Sequence, residues 1–264
     1  MNKEIIKEYQ FKKKFGQNFL YDENILKNIV EKSGVDNDTL VIEVGIGAAF
    51  LTYYLSDKAK NIIGYEIDNS LKEIIDEQLK DKNNVEIIYN DFLKCNVLDD
   101  IKKYDYKKLY VVANLPYYIT TPIIMKFINE KIPVDKIVVM VQKEVGDRFN
   151  AKVNTKNYNS LTIFLNYYFE IKKIMDVSRN SFVPKPNVDS IIVEFKKKSN
   201  NYIVKNEELL FKLIRDSFCF KRKNLRNNLK NYDLDKLSKI VDLTKRAESL
   251  SLDDFIEISN KLEE

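Results

Sequence analysis

Apolar positions along this chain follow two rhythms. Behind Asp22, a residue suited to capping a helix N-terminus, Ile25, Leu26, Ile29 and Val30 recur at helical spacing and predict a helix. Compact β-type runs follow at 40–45 (LVIEVG), 61–67 (NIIGYEI) and 85–90 (VEIIYN), separated by segments of helical length. Two further runs, 109–114 (LYVVAN) and 136–141 (KIVVMV), continue the rhythm across the helical pattern PIIMKFINE at 122–130. This alternation predicts an α/β fold, a doubly wound parallel sheet of five strands with right-handed crossovers assumed. Residues 167–177 and 188–195 are again β-rich, and the connection SFVPKPN suits two closing strands joined by a rigid loop. The polar stretch KKKSNN at 196–201 ends the β rhythm, and only helical patterns follow. A boundary is expected there, giving a large domain over 1–198 with a basic N-terminal arm and a small helical domain over 199–264.

Composition narrows the chemistry. With 264 residues, 44% hydrophobic and 32% charged, the chain can bury one sizeable core plus an appendage. The 44 Lys and Arg against 40 Asp and Glu leave only +4, so any polyanion partner must be read from where charge clusters. No run of eighteen apolar residues exists, and the first residues, which include Glu4 and Glu8, lack the apolar segment of a secretion signal, so a cytoplasmic protein without membrane contact is expected. There is no histidine, and Cys95 and Cys219 stand far apart. Histidine-dependent nucleophilic catalysis and a Cys/His zinc site are thereby excluded, and no metal is expected.

Candidate chemistry sits at the strand ends. Gly45 and Gly47 close the first strand and allow backbone to approach a ligand. Phe50 occupies the third place of a dinucleotide fingerprint, which argues against NAD. Glu43 beside this loop suits a cationic ligand better than a pyrophosphate, with a helix-capping role as the alternative. Glu66 ends the second strand where an acid can bind two ribose hydroxyls, or it is an exposed loop acid. Asp91 follows the third strand, able to accept from an adenine amino group with Phe92 packed beside it, or to act as a helix cap. Three acids at successive strand ends surround one crevice, and their ligand reads as S-adenosylmethionine.

After the fourth strand comes Asn114-Leu115-Pro116-Tyr117. This tetrapeptide resembles the Asn-Leu/Ile-Pro-Tyr motif of the ribosomal RNA adenine-N6 dimethyltransferases. Residues 16–20 (GQNFL), 43–52, 142–145 (QKEV) and 182–190 match that family in order, so the resemblance spans nearly the whole chain. It implies a Rossmann-like S-adenosylmethionine-dependent methyltransferase, with Asn18 and Leu20 over the cofactor. The Asn114 side-chain oxygen and the Leu115 carbonyl can favour a pyramidal, nucleophilic adenine N6, so no strong base is required. Tyr117 offers a stacking face, and Phe182 resembles the family's second aromatic, with core packing as its alternative. The chain departs from the family at Ile46, where proline is usual, at Ala48-Ala49-Phe50, where a later glycine is replaced, and at Tyr118, where asparagine is common.

Within the family the resemblance favours the KsgA type, which acts on small-subunit RNA, over the Erm type, which methylates large-subunit RNA. Its carriers are QKEV at 142–145, NVDS at 187–190, KRKNLRNNL at 221–229 and RAESLS at 246–251. The implied substrate is a pair of adjacent adenines in the 3′-terminal hairpin loop of 16S RNA, taken to N6,N6-dimethyladenosine during small-subunit maturation. Lys12, Lys13 and Lys14, with Lys221, Arg222, Lys223 and Arg226, are candidate phosphate contacts. Positions 222, 226 and 230 recur every four residues along an expected helix face, while Leu225 and Leu229 would anchor it, a solvated basic helix being the alternative. A monomer is expected. Other readings are an Erm-type enzyme, a DNA amino-methyltransferase, and a non-catalytic ribosome-assembly factor on the same fold.

Overall fold

The computed structural model describes Tyr9, Lys12, residues 17–199 and residues 202–264. By its internal contacts the chain forms two compact units: the first runs up to Gly146 and resumes over Lys172–Lys196, and the second comprises Asp147–Ile171 and Lys197–Glu264. The expected break near 198 lies next to the chain's third passage between units, but residues 147–171, read from sequence as part of the large domain, group with the C-terminal helices.

The first unit begins with strand β1 (Phe19–Leu20) and helix α1 (Glu23–Ser33). Asp22 caps α1 as expected, its carboxylate accepting from the N–H groups of Asn24 and Ile25, and Gly34 at φ +68° ends it. Then follow β2 (Thr39–Val44), α2 (Phe50–Ser56), β3 (Asn61–Glu66), α3 (Lys72–Gln78), β4 (Val85–Tyr89), α4 (Val97–Ile101), β5 (Lys108–Asn114), α5 (Thr120–Asn129), β6 (Lys136–Gln142) and α6 (Lys143–Phe149). Helix α7 (Ser160–Tyr168) leads to β7 (Phe169–Val177), then β8 (Phe182–Val183) and β9 (Ser190–Lys197). Tyr167 and Tyr168, expected in a strand, instead close α7, whose Asn159 and Thr162 form a reciprocal capping box.

The main sheet has the order β4-β3-β2-β5-β6-β9-β7. The first five strands are parallel, and β9 joins β6 antiparallel. All six residues of β2 are buried, as a strand covered on both faces requires. Because β2 pairs with β3 on one side and β5 on the other, the chain reverses its direction of travel across the sheet between them. A crevice opens outside the C-terminal ends of two strands at such a switch point. A separate two-stranded ribbon pairs β1 with β8, Leu20 opposite Phe182.

The second unit buries its own apolar cluster. Tyr158, Ile163 and Tyr167 pack with residues of α8 (Glu207–Ser217) and α11 (Leu252–Leu262), among them Leu210, Leu213, Phe255 and Ile258. Between these helices lie α9 (Leu225–Asn228) and α10 (Leu234–Ser238). Among the described residues no helix is long and apolar enough to cross a membrane.

Candidate active site

The crevice predicted by the strand order is a cavity of about 210 Å³ in the first unit. Its floor is the loop after β2. Gly45 and Gly47 both take positive φ, +75° and +60°, and both face close neighbours. A Cβ on Gly45 would lie 3.4 Å from Pro116 Cδ, and one on Gly47 would lie 3.0 Å from the Phe19 ring. These glycines are therefore required by backbone conformation and by approach. Ile46, standing where the resembled family has proline, turns its side chain onto Gly64 of β3, where a Cβ would meet Ile46 Cδ1 at 2.3 Å. Ala49, in the stretch that replaces a family glycine, is buried and holds φ +57°, a left-handed conformation that an alanine adopts at a cost of about 1 kcal/mol.

Three carboxylates border this loop, in three different states. Glu43 is 1% exposed, and its Oε2 has no hydrogen-bond partner among the described residues. Burial pushes its carboxyl up to about 8; the Thr52 side chain opposes this and the Glu66 charge adds to it. Glu43 is thus largely neutral at pH 7, unlike the charged acid expected from sequence. Glu66 is buried too; one oxygen accepts from Gly47 N–H at 2.9 Å and the other from Asp68 N–H at 2.8 Å. Burial raises its pKa, partly offset by those backbone donors. Asp91 caps a short 3-10 turn through Leu93 N–H at 3.0 Å, so its cap reading holds, while it also lines the cavity. Phe92 is held between the rings of Tyr65 and Phe127, at 5.0 and 5.4 Å.

The opposite wall is the segment after β5. Asn114, Leu115, Pro116 and Tyr117 all line the cavity. The Asn114 amide donates through Nδ2 to the Asn18 carbonyl at 3.1 Å, which leaves Oδ1 as its acceptor atom. Pro116 C=O accepts from Ile119 N–H at 3.1 Å, closing a turn that leads into α5. The Tyr117 hydroxyl is hydrogen bonded to Ser190 Oγ at 2.7 Å, and burial raises its pKa, so the phenol is neutral at physiological pH. Asn18 and Leu20 also line the cavity.

Three expectations fail or change. Phe182 is 2% exposed, packs in the main core opposite Leu20, and does not line the cavity; the exposed aromatic there is Tyr118. Its core alternative is correct because β8 turns that ring inward when it pairs with β1. Lys12 is not a free cation: its ammonium reaches Asp68 and Ser70, each at 2.7 Å. Lys13 and Lys14 lie outside the described residues. In the second unit Lys221, Arg222, Lys223 and Arg226 are exposed and Leu225 and Leu229 are buried, as expected. The helix is only Leu225–Asn228, however, so 222, 226 and 230 share no helical face. Asn224 caps it from the N-terminal side, stopping it short of Arg222. Lys221 donates to the Lys156 carbonyl at 3.0 Å.

Two carboxylates at strand ends, Glu66 and Asp91, disfavour a pyrophosphate, and with the positive-φ glycines they suit a ligand bearing a cationic group and hydroxyls. Comparison with known proteins gives this cavity its lineage. The family model described as ribosomal RNA adenine dimethylase matches residues 8–264. The chain belongs to that family. It is accordingly an rRNA adenine methyltransferase, and residues 114–117 of its chain line this cavity. Ribosomal RNA small subunit methyltransferase A of Staphylococcus aureus (strain Newman) is 42% identical over 95% of this chain and 89% of its own length. A dimethyladenosine transferase from Plasmodium falciparum superposes with a TM-score of 0.79 at 27% identity, covering 91% of this chain and 95% of that one. The 23S rRNA methyltransferase ErmE shares the fold, with a TM-score of 0.73 at 22% identity over 93% of this chain and 100% of its own.

No sequence pattern marked Asp68, and Gln17 stood in the quoted GQNFL segment without a role of its own. Ser190 lay within the quoted NVDS segment without a role, and Asp68 follows Glu66 by two residues, the spacing that keeps both side chains on one side of an extended segment.

Proposed function

We propose that this protein transfers methyl groups from S-adenosylmethionine to N6 of two adjacent adenines in the 3′-terminal hairpin loop of 16S RNA, forming N6,N6-dimethyladenosine as the small subunit matures. The observation that carries this reading is that residues 114–117, the Gly45–Gly47 loop, Glu66 and Asp91 line one cavity. The 42% identity to a small-subunit methyltransferase supports the choice of RNA.

When bound, S-adenosylmethionine supplies an electrophilic methyl group on a cationic sulfur. Glu66 would accept from ribose hydroxyls and Asp91 from an adenine amino group, while the cavity's apolar lining, including Ile46 and Leu51, would exclude water. Asn114 Oδ1 and the Leu115 carbonyl accept from the target amino group, drawing its lone pair out of the ring and toward the methyl group. The neutral Tyr117 ring, steadied by Ser190, gives the target base a face to stack against. Positioning carries most of the rate, and the excess proton leaves a methylated adenine cation acidic enough to lose it without a histidine. An adenine in a loop reaches such a pocket at little unstacking cost.

Lys221, Arg222, Lys223 and Arg226 are the proposed phosphate contacts, on a monomeric, cytoplasmic enzyme whose partner is the small subunit or its assembly intermediate. Purified protein incubated with methyl-labelled cofactor and, separately, unmethylated 30S particles, 50S particles and DNA tests the reading. Dimethyladenosine confined to 30S RNA, mapped by nuclease digestion and mass spectrometry, is the expected result. Label in 50S RNA or DNA, or none beside an active control enzyme, overturns it.

A further inference from the structure

Asp68 belongs to no motif used above, yet it gathers more donors than any other carboxylate near the cavity. Its side chain is 3% exposed. It accepts from the Tyr9 hydroxyl at 2.8 Å, Lys12 Nζ at 2.7 Å, Gln17 Nε2 at 2.9 Å, and Ser70 through both Oγ at 2.7 Å and N–H at 3.1 Å. Three of these donors come from the N-terminal arm, more than fifty positions away in sequence. The arm is further knitted by Lys12 N–H donating to Gln17 Oε1 at 2.8 Å.

What the carboxylate holds is a wall of the cavity. Gln17, the last of its arm donors, lines the cavity itself, and the next residues, Asn18 to Leu20, continue that wall. Phe19 stands against Gly47, and Tyr9 packs on Phe19 with ring centroids 5.9 Å apart. On the other side, Asp68 N–H is bonded to Glu66, so one short segment touches both the arm and the acid at the ribose end. Burial alone would raise the Asp68 carboxyl; the Lys12 ammonium, Ser70 and the Tyr9 hydroxyl outweigh it and hold the group far below the usual carboxylate range. The charge is therefore fixed at every physiological pH.

We infer that Asp68 is a positioning residue that, through Tyr9, Lys12 and Gln17, latches the Gln17–Leu20 wall of the cofactor cavity in place, and that Lys12 serves this latch rather than the RNA. The inference rests on the proposed use of the cavity for S-adenosylmethionine. Three separate donors converging on one buried carboxylate form a network whose loss is larger than that of one exposed ion pair. When the latch is cut, the Gln17–Leu20 wall spends only a fraction of its time in place, and the apparent cofactor Kd rises by the inverse of that fraction. Saturating cofactor restores closure by mass action, so turnover recovers.

The test measures binding of S-adenosylhomocysteine by calorimetry without RNA, then steady-state kinetics on 30S particles, for Asp68→Asn, Lys12→Met and Tyr9→Phe. Kd and KM for cofactor should rise about tenfold in Asp68→Asn and Lys12→Met, corresponding to a Gln17–Leu20 wall in place about one-tenth of the time, and less in Tyr9→Phe. Turnover at saturating cofactor should stay within about threefold, and RNA affinity with its salt dependence should match the parent. Unchanged cofactor binding in Lys12→Met, or weaker RNA binding with a shallower salt slope, overturns the latch. If Asp68→Asn fails to fold, the other two variants decide alone. A parent protein that binds no S-adenosylhomocysteine refutes the cavity's proposed use instead, and separates that failure from failure of the latch.

Discussion

The Asn114 amide is fixed at one end by the Asn18 carbonyl, so its oxygen is presented without a search over rotamers. Removing it in Asn114→Ala should lower turnover by about 10²–10³-fold, the usual effect of deleting one preorganised polar group that acts on the reacting atoms. Cofactor affinity, measured by calorimetry, should change far less, because Glu66 and Asp91 remain. Glu43 makes a different residue-scale prediction. Its carboxyl is held near 8 when folded against an ordinary 4.5, so the folded state binds the extra proton between those values. Stability is then fully present below about pH 4.5 and is lost as pH rises toward 8. Glu43→Gln should unfold at higher urea than the parent at pH 8, with the advantage shrinking toward pH 5. An advantage that grew on acidification would refute the buried, protonated carboxyl.

At the scale of elements, the loop after β2 and the strand β3 are coupled through Ile46 and Gly64. A methyl group at Gly64 meets Ile46 Cδ1 at 2.3 Å and Ile87 Cδ1 at 3.1 Å, so Gly64→Ala must push the glycine loop or the strand. The expected cost is about 1–3 kcal/mol in denaturant unfolding, with weaker cofactor binding, and Ile46→Ala in the same chain should recover part of both. The parallel strands and their order of chemistry were legible because β2, β3 and β5 are buried on both faces and read as unbroken apolar runs ending in Glu43, Glu66 and Asn114. What escaped was set by partners distant in sequence. Phe182 reads as an aromatic in a motif, and only its pairing with Leu20 turns it into the core. The basic stretch at 221–230 reads as a helix face, but Asn224 starts the helix after Arg222 and Asn228 is its last residue. Tyr167 and Tyr168 have strand propensity, overridden by packing: Tyr167 stacks on Tyr202 and bonds Glu207 at 2.6 Å.

For the whole molecule, the division into units carries a prediction that the polar break at 196–201 would not. Residues 147–171 depend on the C-terminal helices: Tyr158 donates to the Leu250 carbonyl at 2.9 Å, and Ile163 and Tyr167 lie in the same apolar cluster as Leu210 and Phe255. A chain ending at residue 198 should therefore aggregate or bind a hydrophobic dye strongly, since it strips the cover from three large side chains. Deleting a self-contained appendage would instead leave a soluble, cooperatively unfolding remainder, and size-exclusion chromatography distinguishes the two.

The strand order has a consequence for synthesis. A ribosome delivers β7 before β9, yet in the finished sheet β9 stands between β6 and β7. Strand β7 consequently emerges with no place to dock, and must wait until Ser190–Lys197 has been made and has added itself to β6. During that interval it is an unpaired edge, open to pairing with another nascent chain. Three of its nine residues are lysine or aspartate, Lys172, Lys173 and Asp176, which gives the waiting strand charge to keep neighbours off until its own partner arrives.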